Sequence, residues 1–408
     1  MGSDRRTSRG TRSLVVAALI AGLLFGACGR ADDRLASGSP TCLSDVGPAQ
    51  LSTLFDREPG GVIAADYQRA VPLPDGRVLW LYQDATIRLP PSPAPTTTVG
   101  DGPPAPPPPT EQLLHNIGIV QTGTCFEVLR NGTAADPLPW LFPTATIPHG
   151  HWFWPLDATL GSDGTLYVFV AEVTERGPLY LSATVPIATR IVGVDPVTLK
   201  VVFTGSPPND STSLYGFSIT SDTRWTYLYG QCHRQFGWDP GRFGIPAHDL
   251  SCAASVPVAR VPRGHLFDQP EYWDGQRWQH DPDRAVAVIP TVGRAVNPSQ
   301  IRWTGGEFVS ITKVGDWFGS TIYLDRAPAA QGPWTNYARL PATPKCARTV
   351  CNTYFASWVP WNAGTDFVIG LSHNRWDGRL SAVNRPSFMT APRPGAHGFA
   401  LRCAIVDC

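Results

Sequence analysis

Several side chains able to move protons stand at matched distances from turns that the sequence marks. Asp66 lies nine residues before Asp75 of a Pro-Asp-Gly turn, and Asp84 lies nine after it. Around Asp163 of a Ser-Asp-Gly turn, Trp154 lies nine before and Glu172 nine after. His373 lies nine after Gly364. In a hairpin, positions equally far from the turn end at the same level. The spacing therefore predicts that Asp66, Asp84, Glu172 and His373 share one rim with Trp154, Tyr215, Asn297 and Tyr354. Asp157 would sit deeper. Acids gathered in this way suit glycoside hydrolysis. One protonated carboxyl gives a proton to the leaving oxygen, and a second, ionised, activates water or attacks the sugar carbon. Burial and like-charge crowding push the two pKa values apart. Neighbouring aromatics would pack on sugar rings. The competing reading is structural, because Asp at strand ends also caps turns. His149 and His151, with His115, read as surface or sugar-contact groups, so neither a metal nor a cofactor is expected. No P-loop, GxGxxG, GxSxG or HExxH stands in a useful context.

These residues need a scaffold, and the sequence repeats one. An alternating strand, a tight turn and an aromatic-rich second strand recur five times. The arms are 66–73 with 78–82, 152–160 with 166–170, 215–219 with 225–229, 297–303 with 308–311, and 354–359 with 367–371. Asp-Gly and Gly-Gly between apolar runs are hairpin signals, since primed turns need positive φ. The repetition predicts an all-β, five-bladed β-propeller over residues 61–408. A β-sandwich is the main competitor. Residues 28–60 read as a tether that ends by joining the fold, with 42–60 the candidate N-terminal contribution to the last blade. Phe399–Cys403 is the candidate final strand. Residues 89–110 are a proline-rich, low-complexity insertion expected to be disordered.

The chain has 39 Gly and 41 Pro against 16% charged residues, a balance that favours short strands over helices. Its formal net charge is +0, which excludes a nucleic-acid footprint. Arg5, Arg6, Arg9 and Arg12, followed by the apolar stretch Leu14 to Phe25, read as a signal peptide over residues 1–27. Phe25-Gly-Ala-Cys28 resembles a lipobox, so Cys28 is the expected lipidation site. The implied location is the outer face of the plasma membrane, within the cell envelope, as a monomer touching the membrane through its lipid alone. Cys28 aside, eight cysteines remain, which in an oxidising compartment implies up to four disulfides. Spacing suggests Cys346 with Cys351, Cys403 with Cys408, Cys232 with Cys252, and Cys42 with Cys125, one of 105 connectivities.

The passage Ala65-Asp66-Tyr67 through Leu73-Pro-Asp-Gly-Arg-Val-Leu-Trp-Leu-Tyr-Gln-Asp84-Ala85 resembles the opening of a bacterial five-bladed propeller family. That family, long catalogued as a domain of unknown function, includes endo-D-arabinanases. His115-Asn116-Ile117-Gly118 resembles its Asn-containing strand, and Asn297 to Trp303 its later blades. The resemblance implies that Asp66 and Asp84 form the acid/base pair; the count from the turns adds Glu172 as a third acid or substitute. It implies a cell-wall polysaccharide such as arabinan as substrate and partner. Asn116, Trp154, Asp157, Tyr215, Asn297 and His373 are the candidate substrate-binding residues. Gln83-Asp84-Ala85 departs from the family's Gly-Asp-Thr, and no Gly follows Asp66 at the expected place. A non-catalytic glycan- or protein-binding propeller is the alternative.

Overall fold

A computed structural model describes residues 39–91, 110–142, 147–175, 184–208, 213–232, 256–289, 300–314, 319–342, 350–376 and 383–395. The expected signal peptide, Cys28, Asn297, Cys252, Cys346, Cys403 and Cys408 lie outside them. So does most of the proline-rich insertion.

Among the described residues the chain is all-β, with helix confined to single turns such as Pro48–Leu51. Five large antiparallel sheets follow one another along it. Sheet one has the spatial order Arg69–Pro72, Val78–Tyr82, Ile117–Thr122, Cys125–Leu129, Thr41–Cys42. Sheet two is His151–Leu160, Leu166–Glu175, Thr184–Val194, Val201–Gly205. Sheet three runs from Ser213–Ser221 and Trp225–Cys232 out to Trp278–Gln279. Sheet four starts with Gln300–Thr304 and Glu307–Val314, and sheet five with Val350–Ala363 and Asp366–Trp376. The first two strands of every sheet are the two arms of one expected hairpin. A smaller sheet joins Val62–Ala65, Ala85–Arg88 and Glu111–Leu114, so the ends of the proline-rich insertion are carried on paired strands.

The turn chemistry is local. Gly76 (φ 87°) and Gly164 (φ 82°) supply the positive φ. Asp75 accepts the Arg77 N–H, and Asp163 accepts the Thr165 N–H and the Tyr167 hydroxyl. These two aspartates are turn caps, as their dipeptides predict.

The leading strands of the five sheets touch in a closed cycle, one to two, two to three, three to four, four to five, and five to one. The core is divided in the same way. Leu79, Phe153 and Val168 pack between sheets one and two. Trp154, Phe169 and Tyr272 pack between two and three. Tyr229, Ile301 and Phe308 fill the next gap, Ile311, Trp358 and Ile369 the one after. Trp80, Tyr82 and Val368 close the round between five and one. Each such buried side chain contributes about 1.5–3 kcal/mol. Every leading strand is thus covered on both faces, while its end is left toward the shared middle.

The N-terminal segment departs from expectation. Residues 42–60 add no strand to sheet five. Thr41–Cys42 instead pairs with Cys125–Leu129 at the edge of sheet one, where Cys42 and Cys125 form a disulfide. The Pro48–Leu51 turn packs on the strand Ser387–Ala391 of sheet five. Leu43, Leu51, Leu54 and Phe55 are buried there, so the fold begins near residue 41 rather than 61. The apolar spacing of those four residues is too irregular to read as a strand, and their burial follows from docking across the join of two sheets.

Candidate active site

Asp66 and Asp84 flank the small sheet, Asp66 directly after Val62–Ala65 and Asp84 directly before Ala85–Arg88. Their backbones are locked together. The Asp66 N–H donates to the Asp84 carbonyl at 3.0 Å, and the Gln83 N–H donates to the Asp66 carbonyl at 3.2 Å. The Asp84 N–H donates to Asp66 Oδ1 at 2.9 Å. The other oxygen, Oδ2, lies 2.8 Å from the Tyr354 hydroxyl, which lies 2.9 Å from Asn374 Oδ1. One hydroxyl hydrogen cannot serve both oxygens. The hydroxyl hydrogen serves Asp66 when that carboxyl is ionised; when Asp66 carries the proton, Tyr354 can turn its hydrogen to Asn374.

Electrostatics favour the protonated state of Asp66. Asp66 is 7% exposed. Burial first, and the charge of Asp84 second, push its carboxyl up to about 7. Burial also drives the Tyr354 hydroxyl far above its ordinary value, so it stays a neutral donor. Asp84 is more open, its side chain 16% exposed. The Trp154 indole N–H donates to Asp84 Oδ1 at 2.8 Å, and His115 Nδ1 lies 2.9 Å from the same oxygen. Such N–H partners suit a carboxylate. The Trp152 ring stacks on His115 with centroids 4.7 Å apart and meets Trp154 edge-on at 6.0 Å. A wall of flat rings therefore stands beside the acid pair.

The backbone here is strained. Tyr67 (φ 64°) and Phe355 (φ 48°) adopt left-handed φ, which aromatic residues rarely do. They directly follow Asp66 and Tyr354, and their rings meet edge-on at 4.9 Å. The Tyr67 N–H is pinned by Ser372 Oγ at 3.0 Å, and Ser372 Oγ donates to Gln68 Oε1 at 2.8 Å. Bulges interrupt the leading strands nearby, between Pro155 and Asp157, Tyr215 and Ser218, and Tyr354 and Ala356. Strain and bulges of this kind aim side chains at sites and persist only where surroundings hold them.

Of the predicted rim, Asp66, Asp84, Trp154 and Tyr354 meet, Glu172, Tyr215 and His373 turn elsewhere, and Asn297 lies outside the described residues. Glu172 lies opposite Phe153 in the hairpin, so its side chain takes the face away from Trp154. There it pairs with His151 at 2.9 Å and Arg190 at 2.7 Å. Asn116 is buried as a clamp, donating to the Phe153 carbonyl and accepting the Leu141 N–H. Asp157 is buried too and accepts the Ala158 and Ile219 N–H groups, so it braces the bulge. Burial pushes it up to about 6, with Arg69 opposing. Tyr215 packs against Tyr272 between sheets two and three, away from the acids. His373 neighbours Asn374 on one strand, and alternation turns its side chain to the other face. In each case counting from the turn sets the level of a residue but not its face, and a bulge shifts the count.

Sequence reasoning grouped His115 with His149 and His151 as surface or sugar-contact groups, without assigning either His115 or His151 to a carboxylate, and overlooked Trp152 and Asn374 as site residues. The signal for His115 was its place one residue before Asn116. Nothing local marks Asn374. His115 and His151 serve different carboxylates, and among the described residues no three His, Cys, Asp or Glu side chains gather as a metal site.

No curated protein matches the chain. Among solved structures, it is similar to a Bacteroides ovatus protein described as a hydrolase, at 18% identity and TM-score 0.56, over 81% of this chain and 86% of that one. Weaker likenesses are to a GH43 β-1,3-galactosidase (11% identity, TM-score 0.47, 88% of this chain) and a Bacillus halodurans xylan β-1,4-xylosidase (10%, 0.46, 81%). The chain spans 60% and 53% of those two chains. The model of a domain of unknown function, DUF5005, matches residues 49–386, and the chain belongs to that family.

Proposed function

We propose that this protein is an extracytoplasmic glycoside hydrolase on a five-bladed β-propeller, tethered by a lipid on Cys28, that cleaves a furanoside polysaccharide such as arabinan. The single observation that carries the reading is the Asp66–Asp84 pair beside a wall of Trp152, Trp154 and His115. One acid is buried with a raised pKa and the other is partly exposed. The closed cycle of five sheets supports the propeller.

In this reading Asp66 holds the proton and releases it toward the leaving oxygen, while Asp84 acts on water or on the sugar carbon. His115 and Trp154 fix Asp84, and the indole and imidazole faces pack on sugar rings. Glu172, bound to Arg190 and His151, orders the flank rather than reacting.

The burial of Asp66 and the engagement of both its oxygens favour a second reading, a propeller that grips glycan without cleaving it. The experiment is reducing-sugar release from arabinogalactan by the purified protein, beside Asp66→Asn and Asp84→Asn. Turnover lost in both variants supports hydrolysis. Turnover unaffected by either change defeats the site, and binding without turnover selects the second reading.

A further inference from the structure

A second imidazole stands at the acid-pair end of the fold, and the acid pair does not use it. His151 opens the first strand of sheet two, three residues before Trp154, which holds Asp84. His151 Nδ1 lies 2.9 Å from Glu172 Oε1. The other oxygen of Glu172 takes the Arg190 guanidinium, with Nε at 3.0 Å and Nη2 at 2.7 Å. Arg190 Nη1 donates onward to Ser206 Oγ at 2.8 Å. One carboxylate therefore fixes the imidazole and the guanidinium together. A carboxylate only accepts, so His151 Nδ1 carries the hydrogen and the ring orientation is set. Among the described residues, His151 Nε2 has no hydrogen-bond partner, and the side chain is 22% exposed.

The four residues lie in order across one sheet. His151 is on the first strand, Glu172 on the second, Arg190 on the third, and Ser206 directly follows the fourth. Neighbouring strands lie about 4.8 Å apart, so the strip runs about 14 Å from the middle of the ring of sheets outward. Its inner end adjoins the acid pair. Trp152 follows His151 in the chain and stacks on His115, whose Nδ1 meets Asp84. Trp152 and His151 take opposite faces of their strand, so the strip crosses that strand at its first residue. A strip of this length suits a run of sugar units rather than one. An ion pair kept only to brace the sheet would need Glu172 and Arg190, and would not need an aligned imidazole with its second nitrogen left open.

We propose that His151, aligned by Glu172 and Arg190, is an outlying subsite of the same mouth, where Nε2 binds a hydroxyl of a sugar unit beyond the one at Asp66 and Asp84. The proposal rests on the glycan reading above, in its hydrolytic or its gripping form, and not on turnover. The ligand is a neutral sugar rather than an acidic one, because Arg190 is already matched by Glu172 and engaged by Ser206. Glu172 and Arg190 are positioning residues that act through His151. The protein should therefore discriminate by length, holding long chains better than short ones.

The test uses the full protein carrying Asp84→Asn, so that nothing is cleaved during calorimetric titration. The probes are arabinogalactan-derived oligosaccharides, from the shortest that binds up to an octasaccharide. His151→Ala and, separately, Glu172→Gln are added to this parent. The expected result is that His151→Ala weakens octasaccharide binding about tenfold, the worth of one hydrogen bond. Binding of the shortest oligosaccharide should stay within twofold, which also shows that the variant is folded. Glu172→Gln should give a smaller loss with the same dependence on length. Equal loss at both lengths assigns His151 to the fold, and no loss at either length removes it from the mouth; each result overturns the proposal. Failure of the parent to bind any of the probes defeats the underlying glycan reading, and the proposal with it.

Discussion

Asp66 and Asp84 are joined twice: the Asp66 N–H reaches the Asp84 carbonyl, and the Asp66 carboxyl takes the Asp84 N–H at 2.9 Å. Neither acid can shift without moving the other. Asp84→Asn keeps this backbone frame and removes only the charge. Loss of general acid or base action costs about 10²–10⁴-fold. Reducing-sugar release should fall by that factor, with the folded circular dichroism spectrum kept. A rate within tenfold of wild type counts against Asp84.

The raised pKa of Asp66 has a consequence for stability. Its folded value, about 7, exceeds the ordinary carboxyl value near 4. Between those two pH values the folded state holds the extra proton, so unfolding becomes easier as pH rises. Below about 4 both states are protonated and the effect vanishes. The slope is at most about 1.4 kcal/mol per pH unit. Asp157 contributes with the same sign up to about 6. Urea midpoints should drop between pH 5 and 7.5, and Asp66→Asn should remove part of that drop. A midpoint rising over this range contradicts the assignment.

Tyr354 holds Asp66 down, because its hydroxyl favours the ionised form. Tyr354→Phe should therefore raise the Asp66 value further. If Asp66 is the proton donor, the alkaline limb of kcat/KM moves to higher pH, with the rate on the acid side within about tenfold. An alkaline limb that stays in place would detach Tyr354 from the proton.

Gly216 offers a test of the frame alone. It sits in the bulge of sheet three with φ 106°, and an added Cβ would come within 2.4 Å of the Phe169 ring. Gly216→Ala should cost several kcal/mol and leave little soluble protein. Normal yield and melting temperature would show that the two sheets part more readily than their packing implies.

The Cys42–Cys125 disulfide spans 83 residues. A loop of that length corresponds to about 4 kcal/mol in the chain-entropy picture. Cys42→Ser/Cys125→Ser should lower the melting temperature by several degrees while sparing turnover. An unchanged melting temperature would mean that burial of Leu43 and Leu51 alone pins the N-terminal segment.

The five hairpins were legible because each carries its own turn chemistry within about ten residues. Asp75-Gly76 and Asp163-Gly164 needed no distant partner to be read. Asp66, Asp84 and Trp154 were legible as a group from the count, even though a bulge between Pro155 and Asp157 separates Trp154 from its turn. The count failed for Tyr215, which lies beyond a bulge, and for Glu172 and His373, where it ignores the face of the strand. The Tyr354–Asn374 link to Asp66 has no local signature, since it depends on sheet five docking against sheet one. The joining of 42–60 to the fold and the Cys42–Cys125 pair were legible, but not the pairing of Thr41–Cys42 at the edge of sheet one.

The docking of sheet five against sheet one carries a temporal consequence. Tyr354 reaches Asp66 across 288 positions of the chain. A polypeptide still emerging from the ribosome lacks the group that completes its own acid. The Tyr354 contact with Asp66 forms only once almost the whole chain has been made.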